Sequence, residues 1–138
     1  MEKQSSFSWP LRVYYQDTDA GGVVFHSNYL NFMERARTEW LFKIGLSPAD
    51  LNYHHNLLFV VRSITIDYFK PAKLNDMLDV TAEVVETGAC HLLLQQRVFR
   101  DEQLLVEAAI QLVSVNSLQF KPVPLPAVVK EKILGVFA

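Results

Sequence analysis

The hydrophobic positions of this chain change period once. Between Asn28 and Ile44 they recur three or four apart. Tyr29, Met33, Ala36, Trp40 and Ile44 form one apolar stripe, while Asn31, Glu34, Arg35, Thr38 and Glu39 face elsewhere. This spacing predicts one long helix, with Ser27 or Asn28 placed to cap its start and Gly45 to end it in the left-handed conformation. Ser47-Pro48-Ala49-Asp50 predicts the opening of a short second helix, Ser47 as cap and Pro48 in the first turn. Beyond that the period is two. Ile64, Ile66 and Tyr68 alternate with Ser63, Thr65 and Asp67, and Leu78, Val80, Ala82 and Val84 alternate with Asp79, Thr81 and Glu83. Leu92, Leu94, Gln96 and Val98 predict a further strand and Leu104 to Val115 another, with hairpin turns at Gly88 and at Arg100-Asp101-Glu102-Gln103.

Before the helix, Phe7 to Tyr15 reads as a strand in which Pro10 marks an edge or an irregular start. After the last strand come Pro122, Pro124 and Pro126, then an amphipathic segment, Val128 to Phe137, that reads as a C-terminal helix. A strand, one long helix and then an antiparallel meander are segregated elements, which predicts an α+β domain with a helix packed on a curled sheet. At 138 residues the whole chain, 1–138, reads as one domain.

Composition narrows the function. Half of the residues are hydrophobic and the formal net charge is −2, which describes a globular chain and argues against a nucleic-acid partner. Cys90 is the only cysteine, so neither a disulfide framework nor a cysteine-based zinc site is expected. The first residues lack the apolar core of a signal peptide, and no run approaches the roughly 18 apolar residues of a membrane span. The expectation is a soluble, cytoplasmic protein.

Chemistry-bearing residues concentrate between 12 and 40. A short apolar run ends in Asp17-Thr18-Asp19-Ala20-Gly21-Gly22, followed by His26 and the helix start. A carboxylate beside backbone N–H groups at a helix N-terminus is the minimum equipment for acyl-group hydrolysis. An Asp in such a sequence more often accepts a nearby backbone N–H in a turn, and a lone His more often packs or caps at a helix start. His54-His55 have no third ligand at a usual zinc spacing and read as structural or surface residues. Lys70, Lys73, Lys121, Lys130 and Lys132 are dispersed.

The segment Asp-Thr-Asp-Ala-Gly-Gly-Val-Val-Phe-His-x-x-Tyr resembles the active-site segment of hot-dog-fold acyl-CoA thioesterases of the 4-hydroxybenzoyl-CoA thioesterase type. Phe-Val-Val-Arg at 59–62, Tyr-Phe-Lys-Pro-Ala at 68–72 and Leu-Asn-Asp-Met-Leu at 74–78 resemble the bacterial Tol-Pal-associated members. The resemblance implies a sheet wrapped around its central helix and hydrolysis of an acyl-CoA to free acid and coenzyme A. Asp19 is then the catalytic carboxylate, as general base or as nucleophile, and Asp17 shapes the turn. His26 offers its backbone N–H to the thioester oxygen and its imidazole to water or substrate, and it counts with Asp19 as catalytic. Gly22, Tyr29, Val60 and Val61 are the candidate substrate-binding residues, although Tyr29 also belongs to the apolar stripe. Thioester hydrolysis needs no metal and no cofactor, since coenzyme A is part of the substrate.

Two other functions fit parts of the pattern. A hydroxyacyl thioester dehydratase of the same fold carries its His in a Pro- and Gly-rich segment, which is absent around His26, His54, His55 and His91. A non-catalytic partner of an acyl carrier or of an envelope complex has no need of the Asp-Thr-Asp-Ala-Gly-Gly segment. An acyl carrier protein remains open as the acyl donor, as does the acyl chain. Both alternating faces of Leu104 to Val113 are largely apolar, which predicts burial on both sides and a homo-oligomer, for which the resemblance implies a dimer or a dimer of dimers. The resemblance adds a site shared between subunits.

Overall fold

The computed structural model describes residues 6–135. Five strands form one sheet: β1 (Ser6–Arg12), β2 (Leu57–Tyr68), β3 (Met77–Thr87), β4 (His91–Arg100) and β5 (Gln103–Asn116), in the order β1-β3-β4-β5-β2. Every pairing is antiparallel. The helices are α1 (Asn28–Lys43), α2 (Pro48–His55) and α3 (Ala127–Leu134).

The helix ends obey local chemistry. Gly45 takes φ +80°, and the Leu46 N–H donates to the Leu41 carbonyl at 2.8 Å, closing α1 in a left-handed cap. Ser47 accepts the Asp50 N–H at 3.1 Å and Pro48 opens α2, as expected. At the start of α1 the cap differs from expectation. Ser27 holds the N-cap position but makes no side-chain cap bond, while the Asn28 amide turns back to donate to Asp17. The buried face of α1 is also wider than the predicted stripe, because Phe32 and Leu41 join Tyr29, Met33, Ala36 and Trp40.

Helix α1 lies on one face of the sheet. Leu78, Val80 and Ala82 of β3, Leu92, Leu94 and Val98 of β4, and Val106, Ala108, Ile110 and Leu112 of β5 are buried. Val129 and Ile133 of α3 belong to the same core. Gln96 stands among these inward positions, fully buried. Its Nε2 donates to the Met33 carbonyl of α1 at 3.1 Å and the Thr81 carbonyl of β3 at 3.0 Å, and its Oε1 accepts from Arg37 Nη1 at 2.9 Å. A buried amide with all these bonds made fixes the helix to the sheet.

Several expectations are corrected. The first strand ends at Arg12 instead of Tyr15, because the Asp17 carboxylate accepts the Tyr14 N–H at 2.8 Å and draws 15–17 into a single 3-10 turn. Only β3, β4 and β5 form a meander. The connection 69–76 carries the chain from β2 at one edge to β3, so β2 pairs with β5 and not with its successor. Strand β2 starts at Leu57, six residues before the clean alternation, and carries an irregularity between Val61 and Ser63. Tyr68 does not share the burial of Ile64 and Ile66 and stands 45% exposed. Within one chain one face of β5 buries Val106, Ala108, Ile110 and Leu112, while on the other Leu105 is buried and Gln111 and Val113 are half-buried. Ala109 is exposed on this second face, which also carries Glu107 bonded to Arg97 at 2.7 Å, so that face is mixed and not an apolar sheet. Helix α3 ends at Leu134, with Gly135 left-handed behind it, and the remainder of the predicted helix to Phe137 lies outside the described residues. Among the described residues no helix is long and apolar enough to cross a membrane.

Candidate active site

Short-range hydrogen bonds shape the loop between β1 and α1. The Phe25 N–H donates to the Asp17 carbonyl at 3.1 Å and the Asp19 N–H to the Val23 carbonyl at 2.9 Å, so 17–25 folds as a miniature hairpin. Asp17 is buried at its base and accepts from the Tyr14 N–H and from Asn28 Nδ2, each at 2.8 Å. One carboxylate thereby ties the end of β1 to the first residue of α1, the turn-shaping role expected of it.

Asp19 sits at the exposed end of the hairpin. Its Oδ1 accepts the Gly21 N–H at 2.8 Å, and Oδ2 has no partner among the described residues. A Cβ at Gly21 would lie 3.3 Å from Asp19 Oδ1, so a side chain there would press on the carboxylate. Gly22 takes φ +80°, a conformation that L side chains rarely adopt. Both glycines therefore serve the placement of Asp19.

His26 is exposed just before α1, with its ring 4.5 Å from that of Phe25 and 6.5 Å from that of Tyr68. Among the described residues the backbone N–H groups of His26 and Ser27 have no partner, which leaves two donors at the positive end of the helix dipole. Three bonds hold this corner to the 68–72 segment. Val24 N–H donates to the Ala72 carbonyl (2.9 Å), Ala72 N–H to the Tyr29 hydroxyl (3.0 Å), and the Tyr68 hydroxyl to the His26 carbonyl (2.8 Å). Tyr29 is buried; desolvation raises its hydroxyl pKa above the ordinary value, while the bond from Ala72 pulls the other way.

His26, Tyr29, Val24, Tyr68, Phe69 and Lys70 line an open cleft of about 220 Å³. Lys70 alone of the dispersed lysines faces this cleft. Val61 lines a different cavity, about 290 Å³, bounded by Glu34, Arg37, Trp40 and Leu41 of α1, Leu51 of α2 and Phe59 of β2. Burial lowers the Arg37 pKa from the ordinary guanidinium value, against the opposing pull of Glu34. The cavity begins at Glu34, about 8 Å along the helix axis from Tyr29. Val60 is half-buried in β2, paired with Val113. Within one chain His26 and Tyr29 line the cleft at the start of α1, Asp19 and Gly22 lie on the hairpin that precedes it without lining that cleft, and Val61 lines the second cavity farther down the helix. His54 and His55 lie in the last turn of α2, and among the described residues no three His, Cys, Asp or Glu cluster as a metal site.

Sequence reasoning placed Tyr68 and Gln96 only as strand residues and Asn28 only as a candidate cap. A polar residue at an inward position of an alternating strand was the signal for Gln96, and an Asn at the helix start was that for Asn28. Tyr68 stood within the Tyr-Phe-Lys-Pro-Ala segment, but its partner is 42 positions away.

The described residues thus form a helix packed on an antiparallel sheet, entered through a hairpin that carries an exposed carboxylate. Residues 13–133 match the model of the thioesterase-like superfamily, and the chain belongs to that family. It is 44% identical over 126 residues to the acyl-CoA thioesterase YbgC of Haemophilus influenzae, covering 91% of this chain and 93% of that protein. It is 46% identical over 121 residues to the acyl-CoA thioester hydrolase YbgC of Escherichia coli O157:H7, covering 87% and 90%. Among solved structures, a probable thioesterase from Bartonella henselae superposes with a TM-score of 0.84 at 31% identity, covering 88% of this chain and 99% of that one. The fold is the α+β hot-dog arrangement that the resemblance implied.

Proposed function

We propose that this chain is an acyl-CoA thioesterase that hydrolyses the thioester to a free acid and coenzyme A, with Asp19 as its carboxylate. Family membership and relatives named for this activity over most of the chain support the reaction. The observation that carries the site is Asp19 itself, exposed at the end of a rigid hairpin, with one oxygen held by Gly21 and the other without a partner among the described residues. The free N–H of His26 polarises the carbonyl. Asp19 then either deprotonates a water that attacks the carbonyl carbon or attacks it directly to give a mixed anhydride, which water opens. In both routes the C–S bond breaks and the thiolate of coenzyme A leaves.

Val60 and Val61 join this site through a second copy of the chain. Supporting this reading is the outer edge of β2, a twelve-residue strand that among the described residues pairs with β5 alone, leaving a long edge open to another strand. Pairing of two such edges gives a dimer with pocket residues of one chain beside Asp19 of the other. A cytoplasmic location suits the lone cysteine and the coenzyme A substrate.

Incubation with acyl-CoAs of graded chain length and a thiol reagent, with acyl carrier protein thioesters in parallel, tests the reaction. Thiol release is expected, and its dependence on chain length and carrier defines the substrate. Water loss from hydroxyacyl thioesters without thiol release, or binding without turnover, would overturn the assignment.

A further inference from the structure

The two free donors at the start of α1 are aimed by different means. In a trans peptide the carbonyl of one residue and the N–H of the next lie in one plane and point in opposite directions. The Phe25 carbonyl accepts the Asn28 N–H at 2.8 Å, so the first turn of the helix itself directs the His26 N–H outward. The next peptide has no such local anchor. Its carbonyl, that of His26, is held by the Tyr68 hydroxyl at 2.8 Å, from the far end of β2. Its N–H is that of Ser27.

We propose that Tyr68 is a positioning residue that holds the His26–Ser27 peptide so that the Ser27 N–H serves as a second donor to the thioester oxygen. The inference rests on the thioesterase reading above. Tyr68 is itself well placed to be rigid. Its ring meets Tyr29 edge-on at 5.6 Å and His26 at 6.5 Å, and Tyr29 is in turn fixed by Ala72. A hydrogen bond to the carbonyl also polarises the whole peptide unit, which strengthens its N–H as a donor. Nearly half of Tyr68 is exposed, so its hydroxyl has water as an alternative partner and is not needed to satisfy a buried group. Its bond to His26 thus bears on orientation more than on stability.

Tyr68→Phe keeps the ring and removes only the donor. The expected result is a kcat about tenfold lower, part of the roughly hundred- to thousandfold lost with a whole oxyanion donor. KM and the melting temperature should stay at wild-type values, and the backbone amide resonance of Ser27 should shift. A structural role alone would not lower kcat at constant stability, and the Ser27 amide shift reports that the bond to its peptide has been lost. Wild-type kcat in Tyr68→Phe, or a fall in kcat with the Ser27 amide unmoved, would overturn the proposal while leaving the thioesterase reading intact. Absence of turnover in the wild-type protein would instead sink the reading and the donor role together.

Discussion

Two buried polar side chains hold α1, one at its start and one at its middle, with opposite consequences. At its start, Asp17 accepts from Tyr14 and Asn28 and gives a loop its shape, leaving Asp19 and His26 exposed. At its middle, Gln96 bonds Met33, Thr81 and Arg37 within a surface that is otherwise apolar, leaving nothing exposed. The loop is built from short-range polar contacts and contributes little apolar burial; the sheet is built from long-range pairing and contributes most of the core. With Asp19 as the proposed carboxylate, chemistry lies where substitution costs little stability, and stability where substitution costs little chemistry.

The largest expected effect tests the loop. Asp19→Asn should lower thioester turnover by roughly a hundred- to ten-thousandfold, the usual range for a general base. Its melting temperature should match wild type, since Asp19 is exposed and an amide oxygen can still accept the Gly21 N–H. Near-normal hydrolysis by this variant would remove the chemistry from the loop.

Gln96→Ala tests the sheet. It opens a cavity and strands the carbonyls of Met33 and Thr81 and the Arg37 guanidinium, costing about 3 kcal/mol of unfolding free energy. Urea unfolding measures this, and turnover per folded molecule should remain close to wild type. An unchanged unfolding midpoint would mean that α1 is held by apolar packing alone.

The smallest effect lies at the connection between the two regions. Asp76 accepts from Arg100 at 2.7 Å and from the Lys73 N–H at 2.8 Å. Burial works against its charge, but these two partners together hold its carboxyl below the usual aspartate value. Its stabilisation is thus complete above the ordinary carboxylate range and is lost as pH falls through the lower, folded value. Asp76→Asn should cost about 1 kcal/mol at neutral pH and progressively less in acid. Thermal melts of both proteins across that range check this, and a constant difference at all pH values would exclude Asp76 as the titrating group.

Local regularities of this chain could be read without a structure. The three-and-four spacing from Tyr29 to Trp40 marked α1, Ser47-Pro48 marked α2, and the alternation around Val80 and Leu94 marked β3 and β4. These signals reside in neighbouring residues, because helix and strand periods are properties of local backbone geometry. The Asp-Thr-Asp-Ala-Gly-Gly segment was equally legible, since the hairpin that presents Asp19 closes within nine residues, from Asp17 to Phe25.

What the chain order hid was non-local. Nothing adjacent to β2 says that it pairs with β5 across the sheet instead of with β3, because a pairing spanning Leu57 to Asn116 is decided by which surfaces bury together. The same holds for Gln96, whose polarity was visible but whose three partners come from a helix, a strand and a guanidinium far away in sequence. Tyr68 is the clearest case. Alternation assigned it to the buried side with Ile66, yet at the end of β2 the sheet no longer covers it and its hydroxyl reaches the His26 carbonyl. Residue types and local periods determined the elements and the carboxylate at their junction. Only the packing of distant segments decided which side chain holds the backbone at the start of α1, because hydrogen-bond direction is set by partners that the chain brings together only when folded.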